Sequence, residues 1–64
     1  MTVHRFDLLN VTGLLVGVKA AECGSDGDVR RMVYALLDDN RRAVTAEAWL
    51  DDRLILRVDR YRAR

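Results

Sequence analysis

Proline is absent from this chain, and it holds only one cysteine, one histidine, four glycines and four aromatic side chains. Each scarcity closes off a class of protein. With no proline, repeat or low-complexity tract, nothing marks a linker, so residues 1–64 read as a single domain. Cys23 has no second cysteine to pair with, which excludes an internal disulfide. One histidine and one cysteine fall short of the roughly four ligands a structural zinc site needs. The same shortage leaves no Ser–His–Asp or Cys–His set for nucleophilic catalysis, and no glycine-rich phosphate loop follows a strand. Long apolar runs are missing too. "GLLVGV" is too short to span a bilayer and stops at Lys19. Reading it as the core of a signal peptide would ignore Asp7, Asn10 and Lys19, and Glu22 spoils "AAEC" as a lipoprotein site. A cytoplasmic, non-enzymatic protein without metal or cofactor and without membrane contact is the expectation.

What is present is half hydrophobic and a third charged, with a net charge of +1. A chain of this size buries only about 60% of its unfolded surface, so it benefits from a partner subunit once disulfide and zinc are excluded. Charge is unevenly placed. Residues 22–40 carry five acids against two arginines, net −3, and residues 53–64 carry five arginines against Asp59, net +4. Ten of the eleven basic residues are arginine, which is associated with GC-rich bacterial or phage genomes.

Residues 2–9, "TVHRFDLL", alternate as a strand does. "NVTG" then supplies Asn to open a turn and Gly for a left-handed fourth position; the turn accounts for the N-glycosylation-like "NVT". Pairing back from Asn10 sets Leu8 against Val16 and Phe6 against Val18, so that Phe6, Leu8, Val16, Val18 and Ala20 share a buried face. After "CGSDGD", Ser25 with Asp28 three places on is a capping-box pattern. Val29, Met32, Val33, Leu36 and Leu37 then form the apolar stripe of a helix that ends near Asn40. "SDGD" lacks the third ligand, the glycine spacing and the closing glutamate of a calcium loop. Asp38 and Asp39 stand at the wrong helix end for anions, and Arg41 and Arg42 are placed to offset them.

The last third reads as a second hairpin, residues 43–50 and 54–62. A two-residue loop at Asp51–Asp52 would set Glu47 opposite Leu56. A three-residue loop aligns Leu50 with Leu54, Ala48 with Leu56 and Ala46 with Val58, and pairs Glu47 with Arg57 on the other face. The predicted core is Phe6, Leu8, Val16, Val18, Val29, Val33, Leu36, Leu37, Leu54, Leu56 and Val58.

The predicted fold class is α+β in the order β-β-α-β-β. That order resembles the β-grasp arrangement of ubiquitin-like proteins and small immunoglobulin-binding bacterial domains, which implies a four-stranded sheet with one face on the helix. The likeness is one of element order and carries no motif. The chain closes on "RAR" rather than Gly-Gly, so a ubiquitin-like or sulfur-carrier role is not implied. The competing architecture is a winged helix-turn-helix, in which residues 13–23 are helical, Arg30 and Arg31 enter a DNA groove, and Arg53, Arg60 and Arg62 meet phosphate. Gly13, Val16, Gly17 and Val18 speak against that helix.

With Leu54, Leu56 and Val58 turned inward, Trp49, Ile55, Arg57 and Tyr61 are left on the outer sheet face, joined by Leu9 and Leu15. Trp, Tyr and Arg are enriched in interface hot spots, and a contiguous apolar patch on a small protein marks a partner. The expected function is therefore a small interaction module, an inhibitor, antitoxin- or immunity-like protein or accessory subunit, binding a protein partner or itself through this face. The alternatives are a winged-helix DNA-binding regulator and single-stranded nucleic acid stacked on Trp49 and Tyr61.

Overall fold

A computed structural model describes residues 2–60 and contains β1 (Thr2–Leu9), β2 (Leu15–Cys23), α1 (Asp26–Asp39), β3 (Thr45–Leu50) and β4 (Arg53–Asp59). The four strands form one sheet in the order β2-β1-β3-β4, every pairing antiparallel, with α1 on one face. This is the predicted α+β order and packing. The central pair is β1 with β3, antiparallel, so the sheet lacks the parallel central pair of β-grasp domains. Because β2 and β3 flank β1 and point the same way, β2, α1 and β3 make a split βαβ crossover. Residues 15–23 are strand, which removes the first helix of the winged helix-turn-helix alternative.

The helix begins where the capping pattern places it. Ser25 is the N-cap, and its Oγ accepts a hydrogen bond from Asp28 N at 3.2 Å. Asp28 Oδ2 accepts in turn from Gly24 N at 3.0 Å, so two donors at the helix start are satisfied reciprocally. At the other end Asn40 closes the helix, its Nδ2 donating to Leu36 O at 2.8 Å. Between the caps, Val29, Val33, Leu36 and Leu37 are buried. They meet Phe6 and Leu8 of β1, Cys23 of β2, and Ala46 and Ala48 of β3. The two fully buried alanines on β3 matter for packing, since a small side chain lets the helix lie close to the strand beneath it.

Two predicted registers need correction, and one device explains both. In the first hairpin the turn forms as expected: Asn10 N donates to Leu14 O, Asn10 Oδ1 accepts from Thr12 N and Leu14 N, and Gly13 has φ +85°. Leu9 opposes Leu15, but the register then slips, so Leu8 faces Gly17 and Phe6 faces Lys19. Val16 is the extra residue of a β-bulge. Every residue of β2 beyond it changes face. Val16 and Val18, predicted core, are therefore 41% and 57% exposed, and Gly17, Ala21 and Cys23 turn toward the helix. Leu8 packs over Gly17, where an added Cβ would sit 3.3 Å from Leu8 Cδ1.

The second hairpin uses the two-residue loop, Asp51–Asp52, with Asp51 left-handed at φ 54°. Leu50 opposes Arg53 and Trp49 opposes Leu54. Ile55 is then the extra residue, and beyond it Ala48–Leu56, Glu47–Arg57 and Ala46–Val58 pair as predicted. The bulge undoes the mismatch that a two-residue loop alone would create. It also reverses two placements. Leu54, predicted core, is 46% exposed beside Trp49, and Ile55 is half-buried against the core. In a urea titration Leu36→Ala should cost about 2–5 kcal/mol, as buried leucines do. Leu54→Ala should cost less than about 1 kcal/mol. Equal losses at the two sites would contradict the Ile55 bulge.

Candidate interaction surface

The sheet face turned away from α1 has two zones. The first is a polar lattice over β1, β3 and β4. Arg5 lies opposite Trp49 in the register, with its guanidinium carbon 5.4 Å from the centroid of the indole. Its Nε reaches Asp7 Oδ1 at 3.1 Å. The Trp49 indole N–H donates to Glu47 Oε1 at 3.3 Å. Arg57 bridges Glu47 at 3.7 Å and Asp59 at 3.6 Å, and Thr45 Oγ1 donates to Asp59 Oδ1 at 2.5 Å. Pairs as exposed as Arg57 with Asp59 contribute little stability one by one. Their effect is to fix the side chains in alternating sign and to cover the indole, which is half-buried.

The second zone is apolar and lies along β2 and the turn before it. Val11 is 81% exposed, Leu14 66%, Leu15 56%, Val16 41% and Val18 57%. Leu9, half-buried, adjoins them as the partner of Leu15. β2 is an edge strand, and its only charged side chains are Lys19 and Glu22. The other edge, β4, carries Arg53, Arg57 and Asp59. An apolar edge strand is a template for pairing with another chain; charges and bulges blunt such edges.

Of the residues singled out in the sequence, Trp49, Arg57, Leu9 and Leu15 do share the outer face. Ile55 does not: it lines a crevice with Asp26, Val29, Arg30 and Leu56 on the helix side. Tyr61 and Arg62 lie outside the described residues. Sequence reasoning missed Val16 and Val18 as surface residues, and the available signal was Gly17, since an isolated glycine inside a strand suggests a bulge.

The arginines proposed for nucleic acid are dispersed. Arg30 and Arg31 are exposed on the helix, and Arg31 is paired with Asp28. Arg53 sits at the β3–β4 turn. Arg60 is partly buried, and its Nη2 donates to Leu37 O and, at 3.4 Å, to Asn40 O. It brings a cation to the helix C-terminus, whose last turn has no basic residue. Arg41 and Arg42, expected in that role, are exposed in the following turn.

At the opposite helix end, Cys23 is 5% exposed, and burial first, then the charge of Asp28, pushes its thiol pKa up. Placement before a helix N-terminus does not make this thiol reactive. Asp28 behaves oppositely. The Gly24 N–H and then Arg31 hold its carboxyl below the ordinary 3.8. Among the described residues, no three His, Cys, Asp or Glu side chains gather where they could hold a metal ion, and no helix is long and apolar enough to cross a membrane. No protein family, curated protein or solved structure matches the chain.

Two measurements check this electrostatic picture. Iodoacetamide should label Cys23 at least tenfold more slowly in the folded chain at pH 8 than in urea; equal rates would mean an accessible thiolate. A carboxyl whose folded pKa is depressed adds stability above its unfolded pKa and loses it as pH falls through the folded value. Asp28→Asn should therefore flatten the loss of stability below about pH 4, measured by urea titration across pH 2–6. An unchanged acid limb would show that Asp28 is not linked to folding.

Proposed function

We propose that this chain is a small non-enzymatic protein-interaction module that docks a protein partner on the β2 edge and the sheet face beside it. The observation that carries the reading is the band Val11, Leu14, Leu15, Val16 and Val18, left exposed on an edge strand with only two charged residues. The five side chains leave on the order of 500 Å² uncovered, near the upper end of what isolated monomers show. The band supplies apolar area, and the strand edge supplies backbone donors and acceptors, the combination used in β-strand addition. An inhibitor, an antitoxin- or immunity-like protein and an accessory subunit are the classes that fit this reading.

Relative to the sequence-based expectation, the centre of the surface moves. Trp49 has its indole N–H engaged by Glu47 and Arg5 over its ring, so it flanks the docking edge. A phosphate-binding role fits less well. Arg57 faces two carboxylates, Arg31 one, and Arg60 the helix carbonyls.

The test is a pull-down from the source cell with the tagged chain, run beside a Leu15→Arg/Val18→Lys double variant. Both positions are more than half exposed, so the variant should keep the native far-UV spectrum. Expected is a protein retained by the native chain at least tenfold more than by the variant. Equal recovery with both would refute docking on β2.

A further inference from the structure

Resting on that reading of β2 as the docking edge, we infer that its occupant is a second copy of this chain. β2 pairs antiparallel with its symmetry mate across a twofold axis, and two four-stranded sheets become one of eight strands. Three observations lead to this occupant.

The first is the asymmetry between the two edges. β2 presents an apolar margin whose charged residues are Lys19 and Glu22, and β4 presents Arg53, Arg57 and Asp59; each strand carries one bulge, so charge is what sets the two edges apart. A sheet able to grow at both margins would assemble head to tail into open fibres. Growth at one margin alone pairs like with like and closes as a dimer.

The second is area. Each copy leaves roughly 500 Å² of apolar side chain uncovered on this band. Pairing of the nine-residue strand covers the share of it carried by Leu15, Val16 and Val18, together with the backbone strip of the edge. A second copy supplies an apolar strand by symmetry: about Val18, Leu15 and Val16 lie across from Ala21 of the partner subunit and Ala20 of the partner subunit. A chain of 64 residues without a disulfide also gains the stability that its small core leaves short.

The third is charge along the strand. An axis at Lys19 would set two ammonium groups opposite each other, which is unfavourable. An axis at Val18 avoids this: Val18 meets Val18 of the partner subunit, and Lys19 lies across from Gly17 of the partner subunit. Val18 sits on the face away from the helix and is 57% exposed, so the monomer does not need it.

Sedimentation of the full chain across low to high micromolar concentrations tests this. The native chain should be dimeric at tens of micromolar. Val18→Lys should weaken the dimer at least tenfold with the far-UV spectrum unchanged, and Leu15→Arg should do the same should the first variant misfold. Leu54→Lys, on β4, should leave the dimer intact. Hydrogen exchange should show β2 amides gaining protection with concentration. A native chain that stays monomeric at high micromolar concentration overturns the inference, as does a dimer indifferent to both β2 variants. A monomer whose β2 variants lose capture of another protein overturns self-pairing and leaves the docking reading standing. Neither dimer nor variant-sensitive capture overturns both.

Discussion

Everything in this small domain turns on covering one sheet face with one helix. Phe6, Val29 and Val33 are its largest fully buried side chains, and Ala43, Ala46 and Ala48 complete the contact at full burial. With a single helix, the apolar core is confined to the sheet residues beneath it. Strand faces must therefore be matched to the helix stripe, and the turns must deliver them in register. Both hairpin turns have their own geometric preferences, set by Asn10 and Gly13 in one and by the left-handed Asp51 in the other. Each hairpin reconciles its turn with the rest of its register through one extra residue, Val16 or Ile55.

The two bulges have opposite consequences for the surface. At Ile55 the extra residue restores Leu56 and Val58 to the helix side and seats Ile55 there too, at the expense of exposing Leu54. At Val16 it brings Gly17, Ala21 and Cys23 under the helix side and puts Val18 in water. The second exchange replaces larger aliphatic side chains with small ones in the core. That trade makes sense for a strand whose outward residues are covered by something else. It links the backbone geometry of β2 to the interaction proposed for it.

The charged residues follow the same division. On the outer face, Arg5, Asp7, Glu47, Arg57 and Asp59 satisfy one another across β1, β3 and β4. At the helix ends, Asp28 and Arg60 serve the exposed backbone donors and acceptors. Of the arginines that looked available for an anionic partner, Arg31 and Arg57 face carboxylates at the surface and Arg60 faces the helix carbonyls. The C-terminal strand is charged on its outer side because it is a sheet edge exposed to water.

The sequence alone determined the elements and their order. The Ser25–Asp28 cap, the stripe from Val29 to Leu37, the stop at Asn40 and the Asn10–Gly13 turn are local signals, each set by neighbours within a few residues, whereas the pairs Glu47–Arg57 and Ala48–Leu56 depend on the Ile55 bulge. The bulges were not legible in that way, although Gly17 hinted at one. A bulge disrupts the ladder locally, and what offsets that lies in the pairing and packing of the whole strand. For the same reason only the tertiary structure decided that Val18 faces water, that Ile55 faces the core, and that Arg60 rather than Arg41 or Arg42 reaches the end of the helix. The order β2-β1-β3-β4 is likewise a tertiary outcome, and it is what makes β2 an edge: which strands lie side by side depends on the crossover of α1, and no local pattern encodes it.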